Sequence, residues 1–157
     1  VIPFFDDRHN VIGYQGRSFD PNEQSKYITI KMKGVENLIY GRERLNKNKK
    51  TYCVEGPLDS LFLPNCLATA GLNFKDLTLG NIIVLDNERR NVQIVDALKK
   101  VIANGYNVCI WPDSVKEKDI NEMIMSGKTQ DDIVGIIDNH TYSGLQADFQ
   151  LSNWKRC

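Results

Sequence analysis

The chain has no two cysteines at CxxC spacing. Cys53, Cys66, Cys109 and Cys157 stand singly, and neither histidine, His9 or His140, has a second ligand at metal-binding spacing. A zinc knuckle is therefore excluded as a motif of this sequence. Cys53, Cys66 and Cys109 lie in or beside apolar runs, where buried free thiols are common, and the expectation is a reduced, intracellular (cytoplasmic) protein. No apolar run approaches the roughly 18 residues that cross a bilayer. The opening "VIPFFDDRHN" has neither a basic-then-apolar leader nor an initiator Met, which reads as a piece excised from a longer polypeptide. Neither GxxxxGK[ST] nor GxGxxG occurs, so a P-loop motor and a dinucleotide-dependent dehydrogenase have no support. No internal repeat or low-complexity tract stands out.

Net charge is also lacking, with 20 basic and 20 acidic side chains, but the balance is uneven along the chain. Residues 1–52 carry a net charge of +4 and residues 53–157 a net charge of −4. A basic front and an acidic rear suit a polyanion on one side and cations on the other, although ordinary surface variation explains the charge equally well. What is present is enough apolar material for a real core, 41% of 157 residues, which fits one domain or one domain with a small appendage.

"VIPFF" and "VIGYQGRSF" flank the polar "DDRHN" and predict a hairpin, with "YITIK" as a third strand. "GVENLIYGRERL" is left open between a short helix and a loop crossing, and "NKNKK" at 46–50 is a charged connector. From Thr51 the texture changes. "TYCVEG", "CLATAG", "NIIVLD" and "NVCIWP" are short apolar strands, and "LDSLFLPN" is helical in pattern up to Pro64. "NVQIVDALKKVIANG" sets Val92, Val95, Leu98, Val101 and Ile102 on one helical face, with Gly105 at its end. "KDINEMIMSG" and "TQDDIVGIIDNH" predict two more helices, the second capped by Thr129. "LQADFQLSNWKR" fits a strand or a short helix. Near-continuous apolar strands alternating with helices imply an α/β fold around a mostly parallel sheet, with a small β-rich basic segment at 1–50 before an α/β domain at 51–157.

In such folds the chemistry sits at the carboxyl ends of strands. Three carboxylates qualify: Glu55 after "YCV", Asp86 after "NIIVL" and Asp113 after "NVCIWP". Asp86 and Glu88, two apart, share a face of extended backbone and can reach one cation. Hard Mg²⁺ takes few carboxylates while keeping waters and substrate phosphates, so Glu55, Asp86 and Glu88 together suit metal-assisted phosphoryl or nucleotidyl transfer. Arg89 and Arg90 either neutralise a phosphate or pair with local carboxylates. In "KDINE", Asp119 also has the position of a plain helix cap.

The order EGxxD (55–59), strand–AG, strand–DxE (86–88) and KDxNE (118–122) resembles the Toprim domain of bacterial-type, DnaG-like DNA primases, most of all those of bacteriophages. The resemblance implies that Glu55 serves as general acid or base near the metal, and that Asp86 and Glu88 hold Mg²⁺ or Mn²⁺. Glu88 replaces the family's usual aspartate, one methylene longer. It also implies that Asp59 and Asp119, with Glu55, bind further metal or orient it, and that Lys118 and Asn121 of the KDxN segment bind nucleic acid or phosphate. Upstream, "IPFFDDRHNVIGYQGRSF", "SKYITIK" and "LIYG" are similar to the stretch before Toprim in primase cores, where Arg17 and Lys26 match basic residues that hold template or nucleotide. That segment separates primases from other Toprim proteins. The implied reaction is synthesis of RNA primers from ribonucleoside triphosphates on single-stranded DNA, with a replicative helicase as a further partner. A primase's zinc-binding domain and most of the front of its core have no counterpart here, so a fragment or reduced relative is expected. Two alternatives stay open: a Toprim nuclease, and a non-catalytic fragment that binds DNA or helicase.

The remaining residues read more plainly. His9 falls in the hairpin turn, and Trp111, beside Pro112, reads as core packing. Tyr14, Tyr27 and Tyr40 interleave with Arg17, Lys26, Lys31, Lys33 and Arg42, a composition that suits single-strand tracking and also suits the solvent face of a small sheet. Gly56 and Gly71 close strands beside the carboxylates, for close backbone approach or a turn with positive φ.

Overall fold

The computed structural model describes residues 1–20, 22, 24, 27–74, 77–78 and 81–157. Three strands, β1 (Ile2–Phe5), β2 (Val11–Arg17) and β3 (Tyr27–Lys31), form an antiparallel sheet in that order. The β1–β2 turn is an Asx turn in which the Asp6 carboxylate accepts the backbone N–H groups of Arg8 (2.8 Å) and Asn10 (2.9 Å), leaving His9 exposed at φ 61°. Pairing of Gln15 with Ile2 and Thr29 and of Gly13 with Phe4 and Lys31 fixes the register. One face then holds Phe4 and Gln15, both buried, while the other presents Tyr14, Ile28 and Ile30 to solvent. Gly13 lets this sheet sit closely on the segment after it: a Cβ there would lie 2.6 Å from the Ile30 carbonyl oxygen and 2.8 Å from Leu38.

The open segment at 34–45 resolves into a loop rather than an α-helix. Tyr40 bridges Ala68 in antiparallel fashion, and only Arg42–Arg44 make a 3₁₀ turn. Gly41 (φ 85°) supplies the bend that a helix through this stretch would not allow.

The second sheet has the order β5 (Cys66–Ala68), β4 (Tyr52–Val54), β6 (Ile82–Val84), β7 (Asn107–Cys109), β8 (Thr141–Tyr142), with β8 alone antiparallel. Alternation along the strands divides the core in two. Cys53, Leu67, Ile83 and Val108 meet α2 (Val92–Ala103) and α5 (Gly144–Trp154) on one face. Tyr52, Val54, Cys66, Ala68, Ile82, Val84 and Cys109 meet α3 (Ile120–Met125) and α4 (Gln130–Asn139) on the other. Burial pushes the thiols of Cys53, Cys66 and Cys109 up, so they remain neutral core groups, and all four cysteines are free. This is the α/β, Toprim-like arrangement that the sequence implies, with a small antiparallel sheet ahead of a mostly parallel one.

Several local expectations change. The helix after β4 is a single turn, α1 (Pro57–Ser60), with Pro57 in its first turn and the Ser60 hydroxyl turned back onto the Pro57 carbonyl (2.6 Å). Val92 is 59% exposed, because at about 100° per residue it falls away from the arc centred on Leu98 and Val101, and Ile94 takes its place in the core. The C-terminal tail is helix α5, which packs Ala147, Leu151 and Trp154 against α2. Thr129 caps α4 in a reciprocal capping box with Asp132, and Asn91 caps α2 by accepting the Gln93 N–H. No helix, among the described residues, is long and apolar enough to cross a membrane.

Candidate active site

β4 lies between β5 and β6, so the chain leaves β4 towards one neighbour and returns on its other side. A crevice outside the carboxyl ends of the strands is expected at such a switch. Val54 pairs with Val84, which sets Glu55 one residue beyond β4 and Asp86 two beyond the adjacent β6. A cleft of about 430 Å³ opens there. Glu55, Asp59, Asp86, Lys118, Asp119 and Asn121 line it from the large sheet, and Gln15, Arg17, Tyr27 and Thr29 line it from the small one.

Local structure aims each group. Asp59, on α1, accepts the Asn121 N–H at 3.0 Å and so ties α1 to the start of α3. Asp119 is the N-cap of α3 and accepts the Glu122 N–H at 2.8 Å, which realises its capping reading while it also lines the cleft. Glu122 in turn accepts the Lys118 N–H at 2.8 Å. Lys118 extends its ammonium to Glu88 (3.4 Å), and Glu88 also accepts from the Asn91 side chain (2.9 Å). Glu88 thus stands at the rim, paired with Lys118, rather than lining the cleft with Asp86. Lys26 lies outside the described residues.

The electrostatics follow from burial of like charges. Asp86 is pushed up to about 7 by desolvation first, then by Glu55, Asp59 and Asp119. Desolvation also raises Glu55, with Glu88 and Asp59 adding to it. Asp59 is raised by desolvation against the opposing Asn121 N–H, with Asp119 raising it further and Arg17 holding it down. The arginine of the small sheet therefore acts on a carboxylate of the large one. For Lys118, desolvation is outweighed by Glu88, Asp86 and Asp119, and its ammonium is held above its ordinary range.

A cation would relieve this repulsion. Among the described residues no three His, Cys, Asp or Glu side chains are grouped closely enough to enclose an ion. The donors in the cleft are carboxylate oxygens, which fits a hard divalent ion held by one or two carboxylates plus water and phosphate, the usual Mg²⁺ arrangement. The structure does not support a closed protein cage.

Some strand-end and basic residues fall elsewhere. Asp113 is exposed and pairs with Arg89, whose guanidinium also donates to the Pro112 carbonyl (3.0 Å) and lies 5.8 Å from the Trp154 ring centroid. Arg89 is therefore committed to local partners. Trp111 is core, its indole N–H donating to the Leu85 carbonyl at 2.7 Å. Arg17 lies over the Tyr27 ring (5.5 Å) and Arg44 over the Tyr40 ring (4.5 Å).

Other contributors escape a reading of the sequence. Asn87 donates from its side chain to the carbonyls of Val115 (3.0 Å) and Glu117 (3.1 Å), and its N–H meets the Lys118 carbonyl at 2.6 Å. It fastens the loop that carries Lys118 and Asp119 to the end of β6. Gln15 donates to the Thr29 hydroxyl at 3.1 Å, while its own carbonyl oxygen is buried with no partner among the described residues. Period-two alternation from Arg17 would have reached Gln15, and pairing register would have reached Thr29. Ala70 (φ 52°) and Gly71 (φ 146°) complete the edge in a tight turn after β5.

The fold and its cleft define a Toprim-like α/β domain with a small antiparallel sheet placed over the carboxylate edge. In sequence the chain is 34% identical over 165 residues to the DNA primase of Enterobacteria phage T4; the match covers 99% of this chain and 47% of that relative, so the chain spans about half its length. In structure it is similar to the E. coli primase catalytic core (TM-score 0.66, 19% identity, 96% of this chain and 54% of that one). It is also similar to the Aquifex aeolicus primase zinc-binding and RNA polymerase domains (TM-score 0.64, 22% identity, 88% and 39%). The RNA polymerase domain of Mycobacterium tuberculosis primase DnaG matches with TM-score 0.64 at 15% identity, covering 87% and 53%. No protein-family model matches. The chain is thus a Toprim-like α/β domain, related in sequence to a phage DNA primase and similar in fold to the catalytic cores of bacterial primases.

Proposed function

We propose that this chain is the metal-binding part of a DNA primase catalytic core, which in its intact enzyme joins ribonucleoside triphosphates into short primers on single-stranded DNA. The observation that carries the reading is the single cleft in which carboxylates from the ends of adjacent parallel strands face an arginine from the small sheet. Residues 1–50 form the basic β-rich segment of that core and residues 51–157 the Toprim domain.

Asp86, with Glu55 or Glu88, would hold Mg²⁺ (or Mn²⁺), which when bound supplies charge neutralisation for the phosphates of a nucleotide. Glu55, raised by burial and by its acidic neighbours, is suited to take or return the proton of an attacking hydroxyl. Asp59 and Asp119 orient the loops around it through their backbone hydrogen bonds. Arg17, Lys26 and Lys118 meet phosphates, and Asn121 lines the cleft beside them. A replicative helicase is a partner of the intact assembly, and no part of the described surface is assigned to it.

The test is calorimetric titration of Mg²⁺ and Mn²⁺ into the chain and into the Asp86→Ala/Glu88→Ala variant, followed by primer synthesis within the full-length polypeptide. Saturable binding lost in the variant, and primer synthesis abolished by Glu55→Gln, are the expected results. Equal metal binding by both forms would remove the site as drawn. Strand cleavage in place of primer synthesis would make the domain a nuclease.

A further inference from the structure

A second cleft lies beyond the Glu88 rim. It has a volume of about 670 Å³ and is bordered by Asn87, Glu88, Arg89, Arg90 and Lys116, with Arg156 from the end of the chain. Its cations come from three distant stretches. Arg156 is brought in because its N–H donates to the Arg89 carbonyl at 2.8 Å, and its guanidinium caps the end of α5 through the Trp154 and Lys155 carbonyls (3.1 and 2.9 Å). Lys116 bonds the Asp113 carbonyl oxygen. Arg90 is exposed. Among the described residues no carboxylate lies within ion-pair distance of Arg90, Lys116 or Arg156, and Arg89 alone of the four has one, Asp113. Among the described residues Glu88 is the one carboxylate bordering the cleft, and it is paired with Lys118, which lines the first cleft. The Glu88–Lys118 pair is thus a wall shared by both.

Gathering like charges around a concavity is unfavourable unless an anion fills it, and guanidinium groups are shaped to grip phosphate oxygens. We propose that this second cleft receives the polyphosphate tail of a nucleoside triphosphate whose inner phosphates lie at Asp86 and Glu88, with Arg90 and Lys116 as its principal contacts. The assignment rests on the reading of the first cleft as the nucleotide site. It deepens that reading by giving the tail a direction, away from the small sheet and towards the end of α5. Arg90 is a phosphate candidate in the sequence, but Lys116 and Arg156 escape motif reading because 90, 116 and 156 are adjacent only after α5 has packed on α2.

The probe is inorganic tripolyphosphate, which carries neither base nor sugar, titrated at low salt and without metal into wild type, Arg90→Ala/Lys116→Ala and Arg90→Glu. Both substituted residues are exposed, and a thermal melt of each variant checks that it is folded. Wild type is expected to bind saturably, the double variant about tenfold or more weakly, and Arg90→Glu more weakly still. ATP with Mg²⁺ should displace the probe, whereas oligo(dT) should leave it bound. Affinity that is equal in wild type and variants, or no saturable binding by wild type, overturns the proposal. Displacement by oligo(dT) but not by ATP also overturns it, making the cleft a track for a nucleic-acid backbone. Because the assay needs no template, metal or turnover, failure to prime leaves this result standing, and a priming chain with unaltered variants loses only this cleft.

Discussion

β4, β5 and β6 are three residues long and buried at every position, whereas β3 is five residues long and exposed at every position. The short strands hold because helices cover both faces of their sheet, so each side chain meets one of two cores. The small sheet has one covered face and is anchored through Phe4, Gly13 and Gln15. The difference shows where the chain places stability and where it places binding groups. The doubly covered sheet fixes the positions of Glu55 and Asp86, and the singly covered sheet supplies the basic and polar groups that look across at them.

The largest expected effect tests the doubly covered sheet. Ile83 is fully buried between β4 and β7, and Ile83→Ala should cost about 2–5 kcal/mol in urea unfolding with little change in slope. A cost below about 1 kcal/mol would mean that the site-bearing sheet is not the rigid member of the pair. Next comes the seat of the small sheet. Gly13→Ala forces a methyl against the Ile30 carbonyl oxygen and Leu38 and should cost about 1–3 kcal/mol by the same measurement. A neutral result would show that the small sheet shifts freely over the cleft.

The third test separates stability from function at the edge where the sheets meet. The Asp86 carboxyl moves from an ordinary 3.8 to about 7 on folding, so the native state binds the extra proton. Its contribution is most favourable below the unfolded value and is lost as pH rises through 7. In chelator-containing buffer, Asp86→Asn should therefore raise stability at pH 8 by about 1–2 kcal/mol, discounted for partial exposure, and leave it nearly unchanged at pH 4. Thermal melts across that range measure it, and a variant less stable at pH 8 would contradict the crowding of carboxylates described above. The smallest effect is expected on the open face: Ile30→Thr, at a position 45% exposed, should stay within about 0.5 kcal/mol. A larger loss in equilibrium unfolding would show that this face is covered.

Much of the architecture is legible in the residues. Strands at "YITIK", "TYCV" and "NIIV", the cap at Thr129 and the helix end at Gly105 follow from local chemistry and stand in the fold. Others do not read locally. "LDSLFLPN" has a helical pattern but forms one turn, because Pro64 and the positive φ of Asn65 end it before β5. The tail from Leu145 has a weakly amphipathic pattern, and packing on α2 decides that it is a helix. At the site, the strand-end rule finds Glu55 and Asp86, yet gives equal standing to Asp113, which pairs with Arg89 outside the cleft. Asn87, between two carboxylates, draws no notice until its bonds to the 115–118 loop are seen.

The sequence by itself determined the α/β character, the two-faced burial of the strands and the presence of carboxylates at their ends, since periodicity and capping depend on neighbours a few residues apart. Only the tertiary structure decided that β4 lies between β5 and β6, that Arg17 faces Asp59, and that Arg90, Lys116 and Arg156 share one cleft. The physical reason is that short apolar strands are interchangeable in their local chemistry. Their order, and the company of residues far apart in the chain, is set by which arrangement buries both faces of the sheet at once.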